Sequence, residues 1–182
     1  MPFLTYQVSP EEALRNAGRL LQEAGAGAVK LEGGERLAGT IRRLVECGIP
    51  VLGHIGILPQ SVMAEGGYRV QGRTPEAAAQ LRRDAMAVQE AGAFAIVLEG
   101  LPMDLSAEIT ASLAIPTLGI GAGPHCDGQM QVLHDILGLF EDFVPHHTKR
   151  YAQVADEIRR ALAAYRDEVR AGSFPTEEHS FR

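Results

Sequence analysis

An eleven-residue phrase occurs twice in this chain. Glu23-Ala24-Gly25-Ala26-Gly27-Ala28-Val29-Lys30-Leu31-Glu32-Gly33 and Glu90-Ala91-Gly92-Ala93-Phe94-Ala95-Ile96-Val97-Leu98-Glu99-Gly100 lie 67 residues apart and agree at eight of eleven positions. Each copy closes a helix with Glu-Ala-Gly, runs through a short apolar strand and delivers a carboxylate just before a glycine. A second phrase repeats at nearly the same offset, Ile49-Pro50-Val51-Leu52-Gly53 and Ile115-Pro116-Thr117-Leu118-Gly119. Repetition at such a period marks a repeated supersecondary unit. The unit reads helix, strand, helix, strand, so βα units around a parallel sheet are expected.

Local signals agree with that period. Ser9-Pro10-Glu11-Glu12 and Thr74-Pro75-Glu76 are the same helix start: a hydroxyl N-cap, proline at the first helical position and acid in the first turn. Helices are expected from there to Gly25 and to Gly92, and over Glu35–Glu46, Ser106–Leu113, 128–137 and 149–170. Strands are expected at Ala26–Leu31, Pro50–His54, Ala93–Leu98 and Ile115–Ile120, with Met1–Tyr6 as the tail of a fifth or the loop after one. A long glycine-spaced loop joins His54 to Thr74, and long loops inside compact domains are usually functional.

An open doubly wound sheet and a (β/α)8 barrel both fit alternating units. Close repetition and polar groups at strand ends favour the barrel. The expectation is therefore an α/β fold, a parallel (β/α)8 TIM-barrel type whose first strands and helices are missing from this chain. With 182 residues, 46% of them hydrophobic, a single domain over 1–182 is expected, with a loosely held tail at 172–182. A net charge of −6 argues against nucleic acid or an anionic membrane as partner. Apolar runs such as Ala93–Leu98 are too short to span a bilayer, and no signal peptide is visible. Cys47 and Cys126 have no metal-like spacing, which points to a cytoplasmic protein with reduced thiols.

Chemistry is expected at the C-terminal ends of the strands, where Lys30, Glu32, His54 and Glu99 fall. Lys30 and Glu32 are two apart on one strand and project the same way. They read as an ion pair, or as an ammonium and a carboxylate converging on an acidic substrate or a hydrated metal. Glu99 follows Ala95-Ile96-Val97-Leu98, apolar neighbours expected to raise its pKa toward the range of a general base; capping the next loop is the plainer role. His54 alone reads equally as structural or catalytic. Gly119-Ile120-Gly121-Ala122-Gly123 lacks the dinucleotide spacing and is expected to be a tight turn. Asp127, His134, Asp135 and His146-His147 have capping or surface roles as their first reading.

Longer motifs add a resemblance. Val29-Lys30-Leu31-Glu32-Gly33-Gly34, Val51-Leu52-Gly53-His54-Ile55-Gly56 with Pro59-Gln60-Ser61, and Gly67-Tyr68-Arg69-Val70-Gln71-Gly72-Arg73 are similar to ketopantoate hydroxymethyltransferase. So are Ile96-Val97-Leu98-Glu99, Ile115 through Gly123, and Asp127-Gly128-Gln129; the motifs are collinear over nearly the whole chain. The resemblance implies a (β/α)8 barrel that assembles as a homo-oligomer, a decamer in the family. It implies transfer of a hydroxymethyl group from 5,10-methylenetetrahydrofolate to 3-methyl-2-oxobutanoate, giving 2-dehydropantoate for pantothenate and coenzyme A biosynthesis. It implies Mg²⁺ chelated by the keto acid, with Lys30 as substrate ligand, Glu32 as metal-side ligand and Glu99 as base. Family members carry two metal-binding aspartates ahead of the position matching Met1, so Met1 is expected to be an internal methionine of a longer protein. Two competing readings are a partial barrel that is inactive or depends on assembly, and a Mg²⁺-dependent lyase or mutase acting on a small 2-oxo acid.

Overall fold

Strand order separates the two candidate architectures. The computed structural model describes residues 1–64 and 66–181. Among them, β1 (Val29–Lys30), β2 (Val51–Gly56), β3 (Ala95–Glu99), β4 (Thr117–Ile120) and β5 (Gly128–Gln129) lie side by side in chain order, every pair parallel. A doubly wound sheet reverses its order at a switch point, whereas a barrel advances one strand at a time. The unbroken order is that of a barrel wall. The helices α1 (Pro10–Ala24), α2 (Ala38–Glu46), α3 (Pro75–Glu90) and α4 (Met103–Ser112) pack in the same succession, each on the next.

The chain divides into two compact units, Met1–Met130 and Gln131–Arg182. The first holds the sheet and these four helices. Both repeated helix starts behave as read: Ser9 and Thr74 side chains accept from the Glu12 and Ala77 amides, with Pro10 and Pro75 in the first turn. Parity then sorts the strands into two faces. Val29, Val51, Gly53, Ile55, Ile96 and Leu98 turn toward the helices, and Ile41, Leu44, Val88 and Ile109 complete that core. Lys30, Leu52, His54, Val97 and Glu99 turn to the opposite face.

The second unit contains α5 (Leu133–Ile136) and α6 (Val154–Ala171). The Tyr151 and Val154 amides donate to the Ile136 and Leu137 carbonyls, and Arg159 pairs with Glu141 and Asp156. Gly172, in the left-handed conformation, ends α6. In the following tail the Phe174 ring contacts Tyr165 and His179, and Arg182 lies outside the described residues. Among the described residues no helix is long and apolar enough to cross a membrane.

Three segments part from an expected strand or helix. Residues 3–8 are turn and bend, the loop of the two forms expected there and not the strand tail: the Thr5 amide and hydroxyl both return to the Pro2 carbonyl, and Leu4 takes φ 64°. Residues 128–137 are not one helix, because Gly128 and Gln129 pair with Leu118 and Gly119 and only Leu133–Ile136 is helical. The helix expected from 149 starts at Val154.

A latch explains the second difference. The Asp127 carboxylate accepts from the Thr117 amide at 2.8 Å and hydroxyl at 3.1 Å, while the Asp127 amide donates to the same hydroxyl. Thr117 is fully buried and its hydroxyl also meets Thr110 of α4. The pairing holds the chain extended beside β4 through Asp127, leaving Gly128 in register.

Gly53 faces α3 so closely that a Cβ would run into Val88 Cγ1; Gly53→Ala should cost about 1–3 kcal/mol, read by urea unfolding. The Thr117 amide and hydroxyl hold the Asp127 carboxyl below the ordinary aspartate range. Its stabilising contribution is therefore complete above the unfolded-state pKa and lost as pH falls through the lowered value. Acid titrations of melting temperature should show Asp127→Asn losing less than the wild type over that interval.

Candidate active site

Register converts sequence spacing into convergence. Lys30 pairs with Leu52, and His54, two residues on, pairs with Val97, two residues before Glu99. Steps of two keep a side chain on one sheet face, so Lys30, Glu32, His54 and Glu99 share the face opposite the helices. All four stand at the C-terminal ends of three adjacent strands. Gly56 permits the last approach: it has φ 101°, and a Cβ there would strike the Glu99 carbonyl.

His54 is the hub. Its side chain is completely buried, with Lys30 Nζ 3.3 Å from Nδ1 and Glu99 Oε2 3.1 Å from Nε2. An ammonium donates and cannot accept, so a hydrogen bond between them requires the tautomer with Nδ1 unprotonated and the proton on Nε2, the nitrogen beside Glu99. Glu99 Oε2 stands at contact distance but off the line a hydrogen bond needs, which leaves Nε2 without an aligned partner among the described residues. Glu99 keeps 20% of its side chain exposed and Lys30 38%, so both can meet a solute.

The expected Lys30–Glu32 pairing is looser than the contact to His54. Glu32 Oε1 lies 3.7 Å from Lys30 Nζ and 3.9 Å from His54 Nδ1. Its other oxygen, Oε2, accepts the Gln60 amide at 3.0 Å. Above it, the Tyr6 hydroxyl accepts from the Glu32 amide at 3.2 Å and donates to Gln60 Oε1 at 2.8 Å. Spacing picks out neither Tyr6 nor Gln60 as a site residue, although Gln60 lies in the Pro59-Gln60-Ser61 motif. Tyr6 looked like part of an apolar opening, and Gln60 is one amide in a loop; 54 residues separate them.

A divalent cation finds few donors in this group. Glu32 is a single carboxylate facing an ammonium, and the described residues contain no cluster of three or more His, Cys, Asp or Glu able to hold a metal. The residues present do not by themselves fit a magnesium ion. The glycine run after β4 is a turn, with Gly121 and Gly123 at φ 62° and 77° and the Gln129 side chain donating to the Gly123 carbonyl. His134, His146 and His147 belong to the second unit.

Comparison with known proteins points the same way. The family described as ketopantoate hydroxymethyltransferase matches residues 1–177. The 3-methyl-2-oxobutanoate hydroxymethyltransferase of Pelobacter propionicus is 60% identical over 181 residues, covering 100% of this chain and 67% of that protein. The enzyme of the same name from Dehalococcoides mccartyi strain CBDB1 is 58% identical, covering 100% of this chain and 65% of its own. This chain thus spans about two thirds of the length of the curated relatives it matches. A crystal structure named for a phosphonomutase of Burkholderia cenocepacia J2315 superposes with TM-score 0.52 at 16% identity over 69% of this chain and 59% of that one; at that identity the likeness is one of fold.

Burial raises the Tyr6 phenol above the ordinary tyrosine range, and the Glu32 charge adds to this. The unfolded chain would ionise first, so stability holds up to the ordinary range and falls as pH rises beyond it. Of the four tyrosines, Tyr68, Tyr151 and Tyr165 are exposed. Alkaline titration of phenolate absorbance should show a late-ionising group, and Tyr6→Phe should remove it.

Proposed function

Since the chain belongs to the ketopantoate hydroxymethyltransferase family, we propose that it transfers a hydroxymethyl group from 5,10-methylenetetrahydrofolate to 3-methyl-2-oxobutanoate. The product is 2-dehydropantoate, a precursor of pantothenate and coenzyme A. One observation carries the reading: a partly exposed carboxylate, Glu99, stands against a buried imidazole whose other nitrogen faces the Lys30 ammonium.

In this reading Lys30 binds the carboxylate of the oxo acid. Glu99 takes the C3 proton, and the C–H electron pair moves into the C2–C3 bond as the keto oxygen gains charge. His54, buried beside Glu99, borders the base, and Lys30 offsets charge developing on the substrate. C3 then bonds to the folate methylene; its two C–N bonds break in turn, a water oxygen completes the hydroxymethyl group, and the C3 proton and a water proton pass to the two nitrogens as tetrahydrofolate leaves. Glu32 is the oxygen donor these residues would offer Mg²⁺. One carboxylate does not make that site.

The reading extends to a cytoplasmic, homo-oligomeric protein, a decamer as in the family. Free thiols at Cys47 and Cys126 support the first, and the exposed row Ile158, Leu162, Tyr165 and Val169 on α6 supports the second. The sparse donor set favours a second reading, a partial barrel active only when an assembly brings further ligands.

Proton exchange tests the chemistry without folate. Incubated in deuterium oxide with 3-methyl-2-oxobutanoate, the protein should speed loss of the C3 proton signal in NMR. Glu99→Gln should lower that rate by roughly 10²–10⁴-fold. Exchange no faster than buffer in the wild-type chain would overturn autonomous catalysis and leave the assembly-dependent reading.

A further inference from the structure

Glu32 is held at both ends by the same two residues. Its amide donates to the Tyr6 hydroxyl, that hydroxyl donates to the Gln60 side chain, and the Gln60 amide returns to the Glu32 carboxylate. The circuit is closed. Each member is fixed in turn: Tyr6 is 1% exposed, and the Gln60 side chain also accepts from Gln7 Nε2 and donates to the Met1 carbonyl. With Oε2 tied to the Gln60 amide, only Oε1 is left to face Lys30 and His54. A carboxylate otherwise turns freely about its last torsion, which is broad and two-fold.

The same circuit reaches the long loop. Gln60 lies in the 3₁₀ turn Pro59–Ser61, and two residues before that turn the Ile57 amide donates to the Glu99 carbonyl at 2.8 Å. At the loop's other end the Gln71 amide donates to the Gly100 carbonyl. The loop root thus grips both carboxylate-bearing strand ends.

We infer that Tyr6 and Gln60 are positioning residues that lock the Glu32 carboxylate in one orientation and couple it to the root of the 57–73 loop. The consequence for ligand affinity rests on the proposed function; the lock itself does not. In the locked state Glu32 presents one oxygen beside the Lys30 ammonium, fixing where the oxo-acid carboxylate can lie. Tyr6→Phe keeps the ring and its packing but leaves a part-buried amide without its acceptor.

Two readouts on the whole chain test this. Calorimetry with 3-methyl-2-oxobutanoate should show Tyr6→Phe binding roughly five- to tenfold more weakly, with no further loss when Tyr6→Phe is added to Glu32→Gln. Amide hydrogen exchange should accelerate at Glu32 and Gln60 in Tyr6→Phe, with amides of β3 unchanged. Additive losses in the double variant, or unchanged exchange at Glu32, would overturn the lock. If wild-type protein fails to bind the oxo acid, the proposed function falls and the exchange result alone decides the lock. Should Tyr6→Phe not fold, Gln60→Ala, which keeps its amide and removes the acceptor of the Tyr6 hydroxyl, is read in the same way.

Discussion

His54 has no exposed surface, an ammonium on one ring nitrogen and a carboxylate beside the other. A buried polar ring is costly where its nitrogens lack partners; here Nδ1 meets the Lys30 ammonium from one neighbouring strand, and the Glu99 carboxylate from the other stands beside Nε2 without an aligned hydrogen bond. Lys30 arrives from β1 and Glu99 from β3, so both neighbours must keep their register with β2. A slip of one residue would turn Lys30 or Glu99 to the helical face and strand the imidazole. The glycines of β2 serve the same alignment: Gly53 brings α3 against the strand, and Gly56 brings the Glu99 carbonyl against its end. Fold and site therefore share one constraint, the parity of three parallel strands.

Much of this was legible in the residue order. The duplicated phrase predicts repeated βα units, and the structure supplies a singly wound parallel sheet. Period-two reasoning puts Lys30 and Glu32 on one face, and the carboxylates at strand ends mark the face where Glu99 stands. What spacing within one strand could not tell was distance between strands. Lys30 and Glu32 look like a local ion pair; in space Lys30 comes closer to His54, from the next strand. Tyr6 and Gln60 carry no periodic or motif signal as a pair, since their contact depends on a turn at Pro2–Thr5 and on a loop root far along the chain.

The misread segment after β4 has a related cause. Propensity over 128–137 favours helix weakly, and a ten-residue-distant contact outweighs it. Asp127 was read as a helix cap or surface carboxylate, the commonest uses of aspartate before a glycine. It caps instead the beginning of a strand, giving the Thr117 amide a partner and drawing Gly128–Gln129 into the sheet. Side-chain capping works alike at helices and strands: an orphan amide takes the nearest oxygen. Only the three-dimensional neighbour says which orphan it is.

Because every strand pairs with its predecessor in the chain, the order of synthesis can also be the order of assembly. Once β1 and β2 are out of the ribosome, Lys30 and His54 can already meet. The third partner follows only after the loop, α3 and β3 have been translated, a delay of several seconds at ordinary elongation rates. Until then the Nε2 side of the imidazole has no third strand against it, so the burial of His54 depends on that unit having docked.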